Sequence, residues 1–148
     1  MNIREIGEAE VCRLLPCIMQ LSKHHNAVSV NHKGHYPSRP YEDTLNAFRM
    51  GLKDGQSHIA VIEEAGAVAG FCKVDMVDKK GKLDYLVVLK EHRQRGLGRR
   101  LMDWAMEAFR QNGVTLIEVK VVDGNEAIRL YEKYGFKMHA HILWHCKE

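Results

Sequence analysis

Between an apolar run, Leu83 to Leu89, and an amphipathic stretch, Leu97 to Gln111, the chain reads Arg93-Gln94-Arg95-Gly96-Leu97-Gly98-Arg99-Arg100. A strand, a glycine turn and a helix in that order constrain the fold strongly. The next apolar run, Thr115 to Val122, follows a helix and should therefore lie parallel to Leu83 to Leu89. Gly96 and Gly98 let the backbone turn tightly with bare N–H groups outward, and the unpaired amides opening the helix add partial positive charge. Arg93, Arg95, Arg99 and Arg100 surround them, so the turn suits a pyrophosphate.

Two phosphate-binding patterns fail on residues. A P-loop closes on Gly-Lys-Ser/Thr, and no such tripeptide follows. A dinucleotide fingerprint places a third glycine where this chain has Leu101. What remains, Arg-x-x-Gly-x-Gly, resembles the acetyl-coenzyme A loop of the GNAT N-acetyltransferase superfamily. A second block, Gly124 to Phe136, resembles that family's Asn-x-x-Ala-x-x-Leu-Tyr-x-x-x-Gly-Phe, matched at Ala127, Leu130, Tyr131, Gly135 and Phe136. The asparagine departs: the pattern puts it at Gly124, and Asn125 comes one residue late. The resemblance covers residues 82 to 136 in detail.

Elsewhere the chain reads as one domain. Its 148 residues are enough to bury roughly two-thirds of their unfolded surface. Asn2 to Ile6 is a short first strand, and Val11, Leu14, Leu15, Ile18 and Leu21 recur at helical spacing over Glu8 to His24, with Pro16 kinking or splitting that helix. A loop follows over His25 to Pro40, then a helix over Tyr41 to Leu52. His58 to Glu63 and Val68 to Asp75 form a hairpin that leads into Leu83 to Leu89. Asn125 to Tyr134 is a short helix, and Lys137 to Cys146 alternates like a closing strand. The resemblance implies an α/β (α+β) fold: a mixed, mainly antiparallel sheet of about six strands, helices on both faces, and a splayed parallel pair holding the cofactor.

Composition excludes several functions. No apolar run approaches the roughly 20 residues of a membrane span, and a signal-peptide core is lacking, so a cytoplasmic location is expected. Cys12, Cys17, Cys72 and Cys146 are scattered and read as reduced, buried thiols. Five basic residues between 90 and 100 oppose only Glu91, a local +4 in a chain of net +3. The remainder is slightly acidic, which argues against a nucleic-acid face. Nine histidines are present, four of them at 24, 25, 32 and 35, without Cys-x-x-Cys or His-Glu-x-x-His, and no metal is expected.

The resemblance also implies roles. Arg93 to Arg100, including Gln94 and Leu97, would hold the diphosphate. Backbone groups of Val87, Val88 and Leu89 would bond the cofactor arm, with an N–H near Val88 against the thioester oxygen. Tyr131 would serve the departing thiolate. Full proton transfer from an unperturbed phenol to a thiolate is uphill by roughly 2 kcal/mol, so a hydrogen bond is the expected contribution. An alkylamine acceptor is protonated at pH 7, a deficit of about 4.6 kcal/mol, and Asp84 or a water chain would take that proton. Asn125 either contacts the arm or caps its helix, while His25 and Asn26 would line the acceptor pocket. The expected activity is direct acetyl transfer from acetyl-coenzyme A to a small-molecule or protein amine; a non-catalytic acyl-coenzyme A sensor is the alternative. Few residues follow Phe136, so a homodimer is expected to complete the acceptor side.

Overall fold

The computed structural model describes residues 2–147. Strand β1 (Ile3–Ile6) leads into a 3-10 segment (Glu8–Leu14) and then α1 (Leu15–Val28). Pro16 stands in the first turn of α1, where its missing N–H has no helical acceptor to lose, so the expected interruption is a change of helix type just before it. Helix α2 (Tyr41–Lys53) precedes β2 (Ser57–Glu64), β3 (Ala67–Val77) and β4 (Lys80–Val88). Helix α3 (Leu97–Gln111), β5 (Leu116–Val119) and α4 (Ile128–Lys133) complete the elements.

The sheet has five strands in the order β1-β2-β3-β4-β5. The first four are antiparallel and β5 lies parallel to β4. Alternation along the strands sends side chains to two cores. Phe48 of α2 packs with Ile59, Val61, Phe71 and Val87 on one face, together with Val11, Leu14 and Ile18. On the other face Leu101, Met102 and Phe109 of α3 meet Cys72, Val74, Leu83 and Tyr131. Among the described residues no helix is long and apolar enough to cross a membrane.

The sixth strand is a correction. Residues 137–146 form no strand, and Met138, Ile142, Leu143 and Cys146 are exposed, so Cys146, like Cys12, is not the buried thiol expected. Alternation signals a strand only where an edge can receive it, and β5 offers just four residues, with Leu116 itself exposed. The segment instead lies against the 29–40 loop, where Trp144 packs on His32 and Tyr36 at ring distances of 5.1 and 5.8 Å.

Strands β4 and β5 pair only from Lys80 opposite Leu116 to Leu83 opposite Val119. Beyond Leu83, β4 continues beside β3 while the other chain leaves the sheet, so a wedge opens. It opens at a bulge: Val74 faces Leu83 and Lys73 faces Tyr85, leaving Asp84 as the extra residue.

Candidate active site

The loop from Arg93 to Gly96 enters α3 through two left-handed residues, Gln94 at φ 65° and Gly96 at φ 76°. The second is costless for glycine. Among the described residues, the N–H groups of Gln94 through Arg99 have no acceptor, while that of Arg100 begins the helix by donating to Gly96. Six bare amides at a helix entrance form an anion cradle. Gly98 adds room: a methyl there would meet only Val88 Cγ2, at an ordinary 3.9 Å, so space beside it is open on the outer side.

The arginines are not equivalent. Arg95 donates to both oxygens of Glu64 at 3.0 and 3.1 Å, and His92 lies 2.7 Å from the same carboxylate. The Arg95 guanidinium, followed by His92, holds the Glu64 carboxyl below its ordinary range. Arg95 therefore ties the loop to the β2–β3 turn. Arg93 Nε donates to the Val88 carbonyl at 3.1 Å. Arg99 and Arg100 make no side-chain hydrogen bond or ion pair among the described residues.

One edge of β4 lines the wedge. Leu89 N–H donates to Ala69 O at 2.9 Å, so residue 89 faces β3. In an antiparallel ladder such pairs alternate, which turns Val87 toward β3 as well and turns Leu86 and Val88 toward the wedge. Of the three backbone positions expected to serve an arm, Val88 offers its N–H and Val87 and Leu89 do not. Leu86 joins Val88, a position that the register shift at Asp84 hid from sequence.

Tyr131 is buried at 7% exposure in the core under α3, its ring edge-on to Phe136 at 6.0 Å. Its hydroxyl makes no hydrogen bond among the described residues, and none of their buried polar side-chain atoms lacks a partner. The oxygen must therefore retain some access to solvent. Burial, reinforced by neighbouring Cys72, pushes the phenol up to about 12. It stays protonated at every physiological pH and can donate. Burial likewise raises the Cys72 thiol, leaving it an uncharged wall behind the tyrosine.

Asp84 is not a free carboxylate. Its Oδ2 accepts from Lys73 at 2.7 Å, and Lys82 lies 3.4 Å from Oδ1. Lys73, buried at 5% exposure, also donates to Asp75 and stands over the Phe48 ring at 5.1 Å. Asp75 in turn accepts from Ser57 at 2.6 Å. The bulge aims Asp84 onto the α2 face, at the rim of an open depression that Arg39, Gln56 and Glu118 also line. A buried ammonium between two carboxylates keeps the charges compensated; a base acting here shares its lone pairs with Lys73.

The remaining positions build the seam between α1 and the chain after β5. Asp123 accepts from Ser29 Oγ at 2.7 Å and from the N–H groups of Val30 and Asn31 at 3.0 and 2.9 Å. These bonds hold its carboxyl below the usual range, the Ser29 bond most. Gly124, at φ 80°, lies so close to the Val28 carbonyl that a Cβ would collide with it. Asn125 Oδ1 accepts from Ala127 N–H at 3.1 Å, a turn leading into α4. The loop expected from His25 begins only after Val28, so His25 and Asn26 lie in the last turn of α1, and the Asn26 amide reaches into the loop, donating to Tyr36 O and accepting from the N–H groups of Gly34 and Tyr36. His25 stacks edge-on with Tyr36 at 5.3 Å, and burial, then neighbouring His24, lowers its imidazole to about 4.

Comparison with known proteins decides the family. The model of the Acetyltransferase (GNAT) family matches residues 21–136. The chain belongs to that family. It is 29% identical over 121 residues to the mycothiol acetyltransferase of Propionibacterium freudenreichii subsp. shermanii, a match covering 75% of this chain and 39% of that protein. It is 28% identical over 87 residues to a putative ribosomal protein bS18 alanine N-acetyltransferase of Bacillus subtilis, covering 58% of each. The chain thus spans 39% and 58% of the lengths of these two relatives. A GCN5-related N-acetyltransferase from Ralstonia eutropha superposes with TM-score 0.80 at 16% identity, over 98% of this chain and 97% of that one. The PaiA N-acetyltransferase of Thermoplasma acidophilum, solved with coenzyme A, gives TM-score 0.77 at 17% identity, over 93% and 90%. These structures share the GNAT fold.

Within that GNAT frame, Lys73, Leu86, Asp123 and Gly124 are the positions that sequence reasoning missed. Gly124 carries a signal in hindsight. The family pattern's asparagine has no room at 124, where the backbone of α1 rests, and the asparagine of that block, Asn125, stands one residue on.

Proposed function

We propose that this GNAT chain moves an acetyl group from acetyl-coenzyme A to a primary amine, by direct attack within a ternary complex. The observation that carries the reading is the row of bare amides from Gln94 to Arg99, continuous with the wedge edge where Val88 turns out its N–H. The residues fit the donor. The amides of Gln94, Arg95, Gly96, Leu97, Gly98 and Arg99 would hold its diphosphate, with Arg99 and Arg100 for further phosphate charge. Arg93 orders the Val88 carbonyl, and Arg95 positions the loop through Glu64 rather than through phosphate. When bound, the donor supplies an activated acetyl thioester.

The chain's own groups do the rest. The Val88 N–H polarises the acetyl carbonyl, a fixed donor aimed where negative charge grows. Tyr131, held neutral, donates a hydrogen bond to the departing sulfur; transfer of its proton to a thiolate would now be uphill by about 5 kcal/mol. Asp84, in competition with Lys73, or water beside it, accepts the amine's proton. The 25–40 stretch borders the acceptor, with His25 as a neutral wall and Asn26 shaping the loop; Asn125 sets the entry to α4. Acceptors in keeping with these groups are small-molecule or protein amines. The free cysteines support a reducing compartment such as the cytoplasm.

Release of thiol from acetyl-coenzyme A, measured with a panel of amines, tests the reading. Turnover with at least one amine is expected. Tight donor binding with no release from any amine class would instead identify an acyl-coenzyme A sensor, and no donor binding would remove the reading altogether.

A further inference from the structure

His32 and His35, three residues apart, meet Cys146, 114 positions beyond His32, where the 137–147 segment crosses the 29–40 loop. One ligand atom of each lies within 4.8 Å of the others. Three features place them. His32 N–H donates to Ser29 Oγ at 2.9 Å, itself bound to Asp123, which roots the loop. His35 N–H donates to His32 O at 3.2 Å, a turn that stands the two imidazoles edge-on at 5.6 Å. Trp144 packs on His32 and brings Cys146 Sγ to 3.9 Å from His32 Nδ1.

We propose that these three side chains bind a zinc-class divalent cation that staples the 137–147 segment to the loop. Two imidazoles and a thiolate are the donors that zinc and its spectroscopic substitute cobalt prefer, and no oxygen ligand for a harder ion is needed. Tetrahedral bonds of the usual lengths put sulfur and nitrogen about 3.6 Å apart. The 3.9 Å between Cys146 and half-buried His32 closes to that by a few tenths of an ångström, and exposed His35 swings in to complete the set from within the 4.8 Å spread. Lys33, the one cation between the two histidines, donates to Ala27 O at 2.6 Å, which keeps its ammonium engaged on the loop's own backbone. Asp123 adds negative charge near His32. Binding forms a metal–sulfur bond and two metal–nitrogen bonds, and the Cys146 thiol releases its proton to solvent. Three protein ligands leave the fourth position to water. The sequence lacks a contiguous metal motif because the third ligand is supplied from the far end of the fold.

Zinc titration of the reduced chain against a chromophoric chelator, with cobalt absorption and tryptophan fluorescence as independent readouts, tests the site without donor or acceptor. Expected are one metal per chain, a thiolate-to-cobalt charge-transfer band, and altered tryptophan emission. Cys146→Ser and His35→Gln should each weaken binding by at least ~10-fold, the lower end of what even an outer partner of a metal costs. His139→Gln with His141→Gln should leave it unchanged. Far-ultraviolet circular dichroism of the three variants checks that each is folded. Absence of stoichiometric uptake, or uptake that survives Cys146→Ser and His35→Gln or follows the histidines at 139 and 141, overturns the proposal.

Discussion

Tyr131 combines a buried ring with a hydroxyl that no protein group accepts from, so its oxygen is left to solvent or to a bound molecule. Tyr131→Phe should therefore leave thermal stability unchanged within about 0.5 kcal/mol, since no internal hydrogen bond is lost. In the same variant kcat should fall by roughly 10²-fold, the low end for an acid catalyst, with donor affinity intact. Stopped assays and calorimetry together check both halves. With its phenol up to about 12, wild-type activity should show no alkaline limb from this residue below about pH 11. Gly98 separates in the opposite sense. An alanine there meets nothing closer than 3.9 Å and improves helix propensity by up to ~1 kcal/mol, so Gly98→Ala should melt no lower than wild type. It should nonetheless bind coenzyme A at least ~10-fold more weakly, about 1.4 kcal/mol, because the methyl projects over the cradle. Equal affinity would mean that the diphosphate lies elsewhere.

At the scale of elements, α1 and the loop after it carry the acid sensitivity. Burial lowers His25 from 6.5 to about 4, so between those values the unfolded chain binds a proton that the folded chain refuses. Stability should fall as pH drops through that window, and His25→Gln should flatten the fall in a pH series of chemical denaturation. Much of this architecture was legible beforehand. Helix α3 was read residue for residue, because its apolar stripe runs without a break from Leu97 to Phe109 and stops at Asn112-Gly113. The antiparallel strands followed from alternation, and the parallel pair from the crossover. What stayed hidden is tertiary. Lys73 reads as an ordinary charge in a strand until Asp75 and Asp84 are seen to enclose it. Residues 137–146 carry the same alternation as a true strand, but no edge long enough waits for them. The outward turn of Leu86 and Val88 depends on a one-residue slip that no pattern marks.

For the molecule taken together, the open feature is the outer edge of β5, four residues long, with Leu116 exposed on it. We propose that a second copy covers it. Sedimentation should then report a dimer at micromolar concentration, and Leu116→Lys should shift it toward monomer without unfolding; a wild-type monomer under those conditions contradicts the pairing. The two cores sit on opposite faces of one sheet, and beyond the ends of the strands they are joined by the seam of Ser29, Asp123 and Gly124. Backbone lies on backbone there, with no space for a methyl group. Residues 34–39 beyond it are held as well, by Asn26 at Gly34 and Tyr36 and by Thr44 at Arg39. A loop clamped along its length can change character only through outward side chains such as Ser38, so on the proposed function substitutions there should alter acceptor preference while leaving donor affinity as it is.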